Sequence, residues 1–189
     1  MTTITRWTTD VVETLPLFEG GRYEIIDGDL FVTHQPHAWH QKVCDVLIGL
    51  LFVWDEKYGL GESFQAPGLI FDVDEAVAPD LIWVSHERLQ RILGEDGKFH
   101  EAPELVIEIV SPGKANAERD FELKLALYDR YDVPEYWVVD WRARSITIFE
   151  RHGGELVCAR LLGYDDMLTS VTLPHFVCPL ARIFRFQGK

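Results

Sequence analysis

The sequence predicts an α/β fold: a mixed central β-sheet flanked by helices, with an added β-meander toward its end. Three observations predict it. A turn dipeptide, Asp27-Gly28, divides two apolar runs; apolar residues recur at helical spacing through 37–58; and a β-branched run at 105–110 is followed by a second helical pattern and another apolar run at 134–140. The last arrangement is the order of a strand–helix–strand crossover, which is right-handed in nearly all proteins.

Each element has a local reason. In 20–33, Asp27-Gly28 reads as a two-residue hairpin turn, because glycine adopts the positive φ that a type I′ turn requires. In 37–58, Val43, Val46, Leu47, Leu50, Leu51 and Trp54 mark one helical face, and Gly59 is a stop. Residues 61–84 read as strands with a turn between them, ending in Leu81-Ile82-Trp83-Val84, and 85–93 as a short helix started by Ser85. The run 105–110 suits a central strand buried on both faces, and Ser111-Pro112-Gly113 breaks it. A helix over 116–131 follows, with Asn116 as its cap. A strand at 134–140 comes next, and strands at 145–150, 155–162 and about 167–173, separated by Gly153-Gly154 and Gly163, add a meander.

The chain has 189 residues, 47% apolar and 26% charged, which suits a single domain over 1–189 and excludes a disordered or fibrous chain. It holds no apolar run of membrane-spanning length. Its start carries no basic-then-apolar leader, and its three cysteines, Cys44, Cys158 and Cys178, are odd in number and widely spaced, so a cytoplasmic protein without a disulfide scaffold is expected. Eighteen Lys and Arg against 31 Asp and Glu give a net charge of −13. Such a chain repels nucleic acid in bulk, so a nucleic-acid partner requires a local basic patch or bound divalent cations.

Three residues break the burial logic of their own segments. Alternation along 105–110 puts Glu108 on one face with Val106 and Val110, where a lone carboxylate is costly unless it is paired or binds a cation. On a helical wheel with Ala117 at zero, Phe121, Leu125, Leu127, Tyr128 and Tyr131 form an apolar stripe, and Lys124 lies in its middle at about −20°. Asp80 follows Pro79 and opens the apolar run 81–84. Singly, each has an ordinary reading: an exposed edge glutamate, a snorkelling lysine, a turn aspartate. Together they suggest a site, because the helix carrying Lys124 follows the strand carrying Glu108 and packs on its sheet. Two carboxylates on neighbouring strands make a hard oxygen site for Mg²⁺ or Mn²⁺, and a lysine beside it can orient a water or neutralise charge developing on a phosphate.

These residues resemble a known signature. Pro79-Asp80 followed by Glu108-Ile109-Val110 is similar to the PD-(D/E)XK pattern of the restriction endonuclease-like nucleases, except that Val110 stands where that superfamily usually has lysine. Tyr23-Glu24-Ile25-Ile26-Asp27-Gly28, His40-Gln41-Lys42-Val43, Pro79-Asp80-Leu81, Glu108 to Pro112, Lys124 with Tyr128, and Glu135-Tyr136-Trp137-Val138-Val139-Asp140 together resemble the Uma-type endonuclease family, whose lysine lies on the following helix. The resemblance implies a restriction endonuclease-like fold, a divalent metal held by Asp80 and Glu108, and Lys124 as the catalytic lysine. It also implies that Glu24 adds a carboxylate to the site.

Other signals are weaker. His34, His37 and His40 are spaced by three, but Pro36 interrupts a helical zinc arrangement, so they read as a loop and helix start, with His40 near the pocket. Ser111 lacks a nucleophile context, and Gly20-Gly21 lacks a phosphate-loop pattern. Trp137 and Trp141 read as core or interface, and Arg142 and Arg144 as a solvated turn. The sequence therefore points to a Mg²⁺- or Mn²⁺-dependent endonuclease acting on DNA. The alternatives are an inactive nuclease-fold module for binding or assembly, and a hydrolase of small phosphodiesters. The apolar segment 176–186 suggests a homodimer interface.

Overall fold

The computed structural model describes residues 6–16, 21–33, 35–110 and 119–185. A short helix, α1 (Thr9–Glu13), precedes a hairpin of β1 (Arg22–Ile26) and β2 (Asp29–Thr33). Asp27 and Gly28 turn it with φ of 53° and 76°, both left-handed, as the turn dipeptide requires. The long helix α2 (Ala38–Tyr58) ends at Gly59, whose φ of 61° closes it. Then come β3 (Gly61–Gln65), β4 (Leu69–Asp72), β5 (Glu75–Val77), β6 (Leu81–Ser85), α3 (His86–Ile92) and β7 (Leu105–Ile109). A π turn over Arg119–Leu123 leads into α4 (Lys124–Arg130), followed by β8 (Glu135–Asp140), β9 (Ser145–His152) and β10 (Glu155–Leu162). The chain continues through β11 (Met167–Thr169), β12 (Val177–Pro179) and α5 (Leu180–Phe184).

The central sheet runs β10-β9-β8-β7-β6-β3, parallel between β7 and β8 and antiparallel elsewhere, so it is mixed as expected. Strands β9 and β10, antiparallel on β8, are the first two strands of the expected meander. The region 61–84 holds more than a pair of strands: β3 and β6 join the central sheet, while β4 and β5 join the hairpin in a four-stranded sheet, β2-β1-β5-β4. The chain leaves the central sheet at Ala66-Pro67-Gly68 and re-enters it at Ala78-Pro79, where proline cannot extend a ladder.

Helix α2 lays Val43, Leu47 and Leu51 on one face of the central sheet, against Leu81, Leu105, Ile107 and Trp137. Leu127 and Tyr128 of α4, with Ile26, Leu69 and Val77 of the smaller sheet, cover the other face at Ile82, Val106, Tyr136 and Val138. All five residues of β7 are buried, as its β-branched run predicts. Burying one such side chain contributes about 1.5–3 kcal/mol.

Two expectations are corrected. Phe121, assigned to the apolar stripe, is 41% exposed. The π turn before Lys124 has more residues per turn than an α-helix, so a wheel drawn at 100° per residue goes out of register there. The strand expected over 167–173 stops at Thr169 and pairs with β12 in its own two-stranded ribbon, outside the meander. From the segment 176–186, Phe176, Cys178, Leu180, Ile183 and Phe184 are buried in the chain's own core against α2 and the central sheet. Val177 of the same segment stays exposed, so the core accounts for most but not all of its apolar character. Ser111 and the Asn116 cap lie outside the described residues.

Candidate active site

The smaller sheet fixes the entry to β6. Ala78 donates its N–H to Glu24 Oε1 (3.1 Å), and its carbonyl accepts from Arg22 Nη1 (2.8 Å), so both backbone groups of the residue before Pro79 are held by β1 side chains. One residue on, the Asp80 carbonyl accepts from Ala66 N. Asp80 is thereby pinned at the end of the central sheet.

Its carboxylate is surrounded by donors. Oδ1 accepts from Arg22 Nη2 (3.0 Å); Oδ2 accepts from the Ile109 N–H (2.8 Å) and lies 3.1 Å from His40 Nε2. Burial works to raise this acid, but the His40 contact, the Arg22 charge and the Ile109 amide outweigh it and bring it down to about 2. Arg22 feels the whole cluster. Burial opposes its charge, yet the carboxylates of Asp80, Glu24 and Glu108 hold the guanidinium above its ordinary value.

Glu108 is 3% exposed, on the face that alternation assigned to it. The β6–β7 ladder ends with Leu81 paired to Ile107; Asp80 precedes that pair on one strand and Glu108 follows it on the other, so both lie at the same end of the sheet. Lys124 Nζ lies 2.7 Å from Glu108 Oε1 and 3.0 Å from Glu24 Oε1, and Lys124 is only 2% exposed. The wheel placed Lys124 in the apolar stripe, and it is buried there with Leu127 and Tyr128. The Tyr128 hydroxyl donates to the same Glu108 oxygen (2.7 Å). Burial, then the Glu108 charge, pushes this phenol well above its usual value, so it remains a donor. Glu24 also accepts from Thr33 Oγ1 (3.3 Å). The structure thus brings Glu24, Asp80, Glu108 and Lys124 to one end of the central sheet.

Arg22 is an additional member, and His40, expected near the pocket, joins Asp80 there. Arg22 had no distinguishing signal, being an ordinary residue at a strand start. His40 had one: with Leu47 of α2 at zero on a wheel, His40 falls at about 20°, in the middle of the buried stripe of Leu51 and Trp54. The three-histidine arrangement does not form among the described residues. His34 lies outside them, and His37 caps α2 by accepting from Trp39 N (3.1 Å) and stacks on Trp141. Trp137 is core, and Arg142 lies over the Trp141 ring. A cavity of about 150 Å³ reaches Asp80 from outside; Arg22, His40, Gln41, Cys44 and Gln65 are among its walls.

Residues 10–181 match the sequence profile of Uma2, described as "Putative restriction endonuclease". The chain belongs to the Uma2 family. Among solved structures it is similar to one described as a "putative nuclease belonging to DUF820" from Anabaena variabilis. The two share 17% identity over 95% of this chain and 98% of the other, with a TM-score of 0.76, which shows a common fold. No curated protein matches the chain. Membership in Uma2 supports a nuclease function, and no helix among the described residues is long and apolar enough to cross a membrane.

Proposed function

We propose that this Uma2 member is a Mg²⁺- or Mn²⁺-dependent endonuclease that hydrolyses DNA phosphodiester bonds, acting as one nuclease-like unit over 1–189 in the cytoplasm. One observation carries the reading: a buried ammonium, Lys124, set between the carboxylates of Glu108 and Glu24, with Asp80 just before the neighbouring strand at the same end of the sheet. What supports the metal is the donor chemistry, since carboxylate oxygens are the ligands a hard divalent cation prefers. Asp80 is ionised at any physiological pH, Glu108 adds carboxylate oxygen, and the cavity gives access to Asp80.

Asp80 and Glu108 would hold the ion, which when bound polarises the scissile phosphate and lowers the pKa of a water. The other side chains have separate tasks. Lys124 orients that water or offsets the charge that develops on the phosphate oxygens. Glu24 and Tyr128 position Lys124 and Glu108 through the contacts above. Arg22 and His40 keep Asp80 ionised and aimed. The net charge of −13 opposes DNA in bulk, so its approach needs a local basic patch or bound divalent cations. A second reading, hydrolysis of small phosphodiesters, is favoured by the −13 charge and by a cavity of only about 150 Å³.

Purified protein with Mg²⁺ or Mn²⁺ is expected to nick plasmid or cut linear or single-stranded DNA. Asp80→Asn, Glu108→Gln and Lys124→Met, each shown folded by circular dichroism, lose this activity. Cleavage that survives in those variants overturns the site. Dinucleotides cut in preference to plasmid favour the second reading. Metal binding without cleavage of DNA, RNA or dinucleotides leaves a binding or assembly module.

A further inference from the structure

The cavity wall carries a second kind of ligand set. His40 and Cys44 are four residues apart on α2, so they stand one turn above the other on its buried stripe. Asp80, at the entry to β6, meets them at the same cavity. One ligand atom from each of the three lies within 4.8 Å of the others, with all three residues buried. Asp80 Oδ2 is 3.1 Å from His40 Nε2, and His40 Nδ1 is 3.7 Å from Cys44 Sγ. Those two distances involve opposite nitrogens of the ring, and one ion takes only one of them; the set of one nitrogen, one sulfur and one oxygen within 4.8 Å still offers the donors of a borderline or soft ion. Mg²⁺ prefers oxygen alone.

We infer that His40, Cys44 and Asp80 form a binding site for Zn²⁺ or a similar borderline divalent cation, and that its occupation blocks the hydrolytic centre by engaging Asp80. Asp80 can keep its bond from the Ile109 amide while its second Oδ2 lone pair turns from His40 to the ion. Cys44 binds as thiolate, its proton leaving to solvent. The blocking effect rests on the role proposed above for Asp80; the binding does not.

Co²⁺ is the probe for the binding. Titrated into the full chain, it is expected to give a thiolate-to-cobalt charge-transfer band and the strong visible bands of tetrahedral coordination. Zn²⁺ should abolish both by displacement. The thiolate band should vanish in Cys44→Ser, and both Cys44→Ser and His40→Gln should weaken binding by about 10-fold or more. Cys158→Ser, at an exposed cysteine, should change nothing. Cys44→Ala substitutes if the serine variant does not fold. A band that persists without the Cys44 thiol, a band lost in Cys158→Ser, or no cobalt binding at all overturns the inference. In the Mg²⁺ cleavage assay, Zn²⁺ should inhibit the wild-type chain about 10-fold more strongly than Cys44→Ser; equal inhibition overturns the blocking role. Cobalt binding without nuclease activity removes only the nuclease reading, and nuclease activity without cobalt at Cys44 removes only this site.

Discussion

The Lys124 ammonium lies 2.7 Å from Glu108 Oε1, joining a helix to a strand across 16 positions of sequence with both side chains sealed from water. A buried charge whose partner is removed is strongly destabilising, by about 3–5 kcal/mol. The two partners are not equivalent, because Lys124 also faces Glu24 at 3.0 Å. Lys124→Met leaves two carboxylates facing each other, whereas Glu108→Gln leaves Lys124 with Glu24. In urea denaturation, Lys124→Met is therefore expected to lose more stability than Glu108→Gln, and the double variant to recover part of the loss. Equal losses would show that Glu24 does not share the ammonium.

Arg22 ties Asp80 to the backbone of Ala78 by donating to both. Arg22→Gln is expected to retain the fold and to reduce metal affinity and cleavage by about 10–100-fold, the usual effect of losing a group that orients a ligand. Isothermal titration with Mn²⁺, set beside plasmid nicking, checks both. An unchanged affinity would detach Arg22 from the site.

The acid side of the stability profile should carry the signature of Asp80. Its carboxyl is at about 2 in the folded chain against an ordinary 3.8. A lowered folded value means that the stabilisation is complete above the unfolded value and is lost as pH falls from about 4 toward 2, amounting to about 2 kcal/mol. Chelator-treated wild type should show this loss across that window, and Asp80→Asn should not.

Two glycines should respond in opposite ways to alanine. A Cβ on Gly61 would run into the Val84 carbonyl and lie 2.9 Å from Ser85 Cα, so Gly61→Ala forces β3 away from β6 and costs about 1–3 kcal/mol. A Cβ on Gly49, inside α2, would meet nothing within 4 Å, and Gly49→Ala should gain about 0.5–1 kcal/mol. Thermal melting of the two variants reads both signs.

Much of this protein was written locally. Asp27-Gly28 specified its hairpin through positive φ, the β-branched run at 105–110 specified a buried strand, and a lysine in an apolar stripe together with a glutamate in an apolar strand already marked the two partners of a buried ion pair. Periodicity reports which face of an element is buried, and a charge on that face demands a partner. It does not say where the partner stands. The sharing of 61–84 between two sheets, the arrival of Arg22 and His40 at Asp80 from 58 and 40 positions away, and the burial of Phe176, Leu180, Ile183 and Phe184 in one core with α2 were decided by tertiary structure. Strand pairing and charge pairing are contacts between distant segments, and their energies depend on distances that only the assembled fold sets.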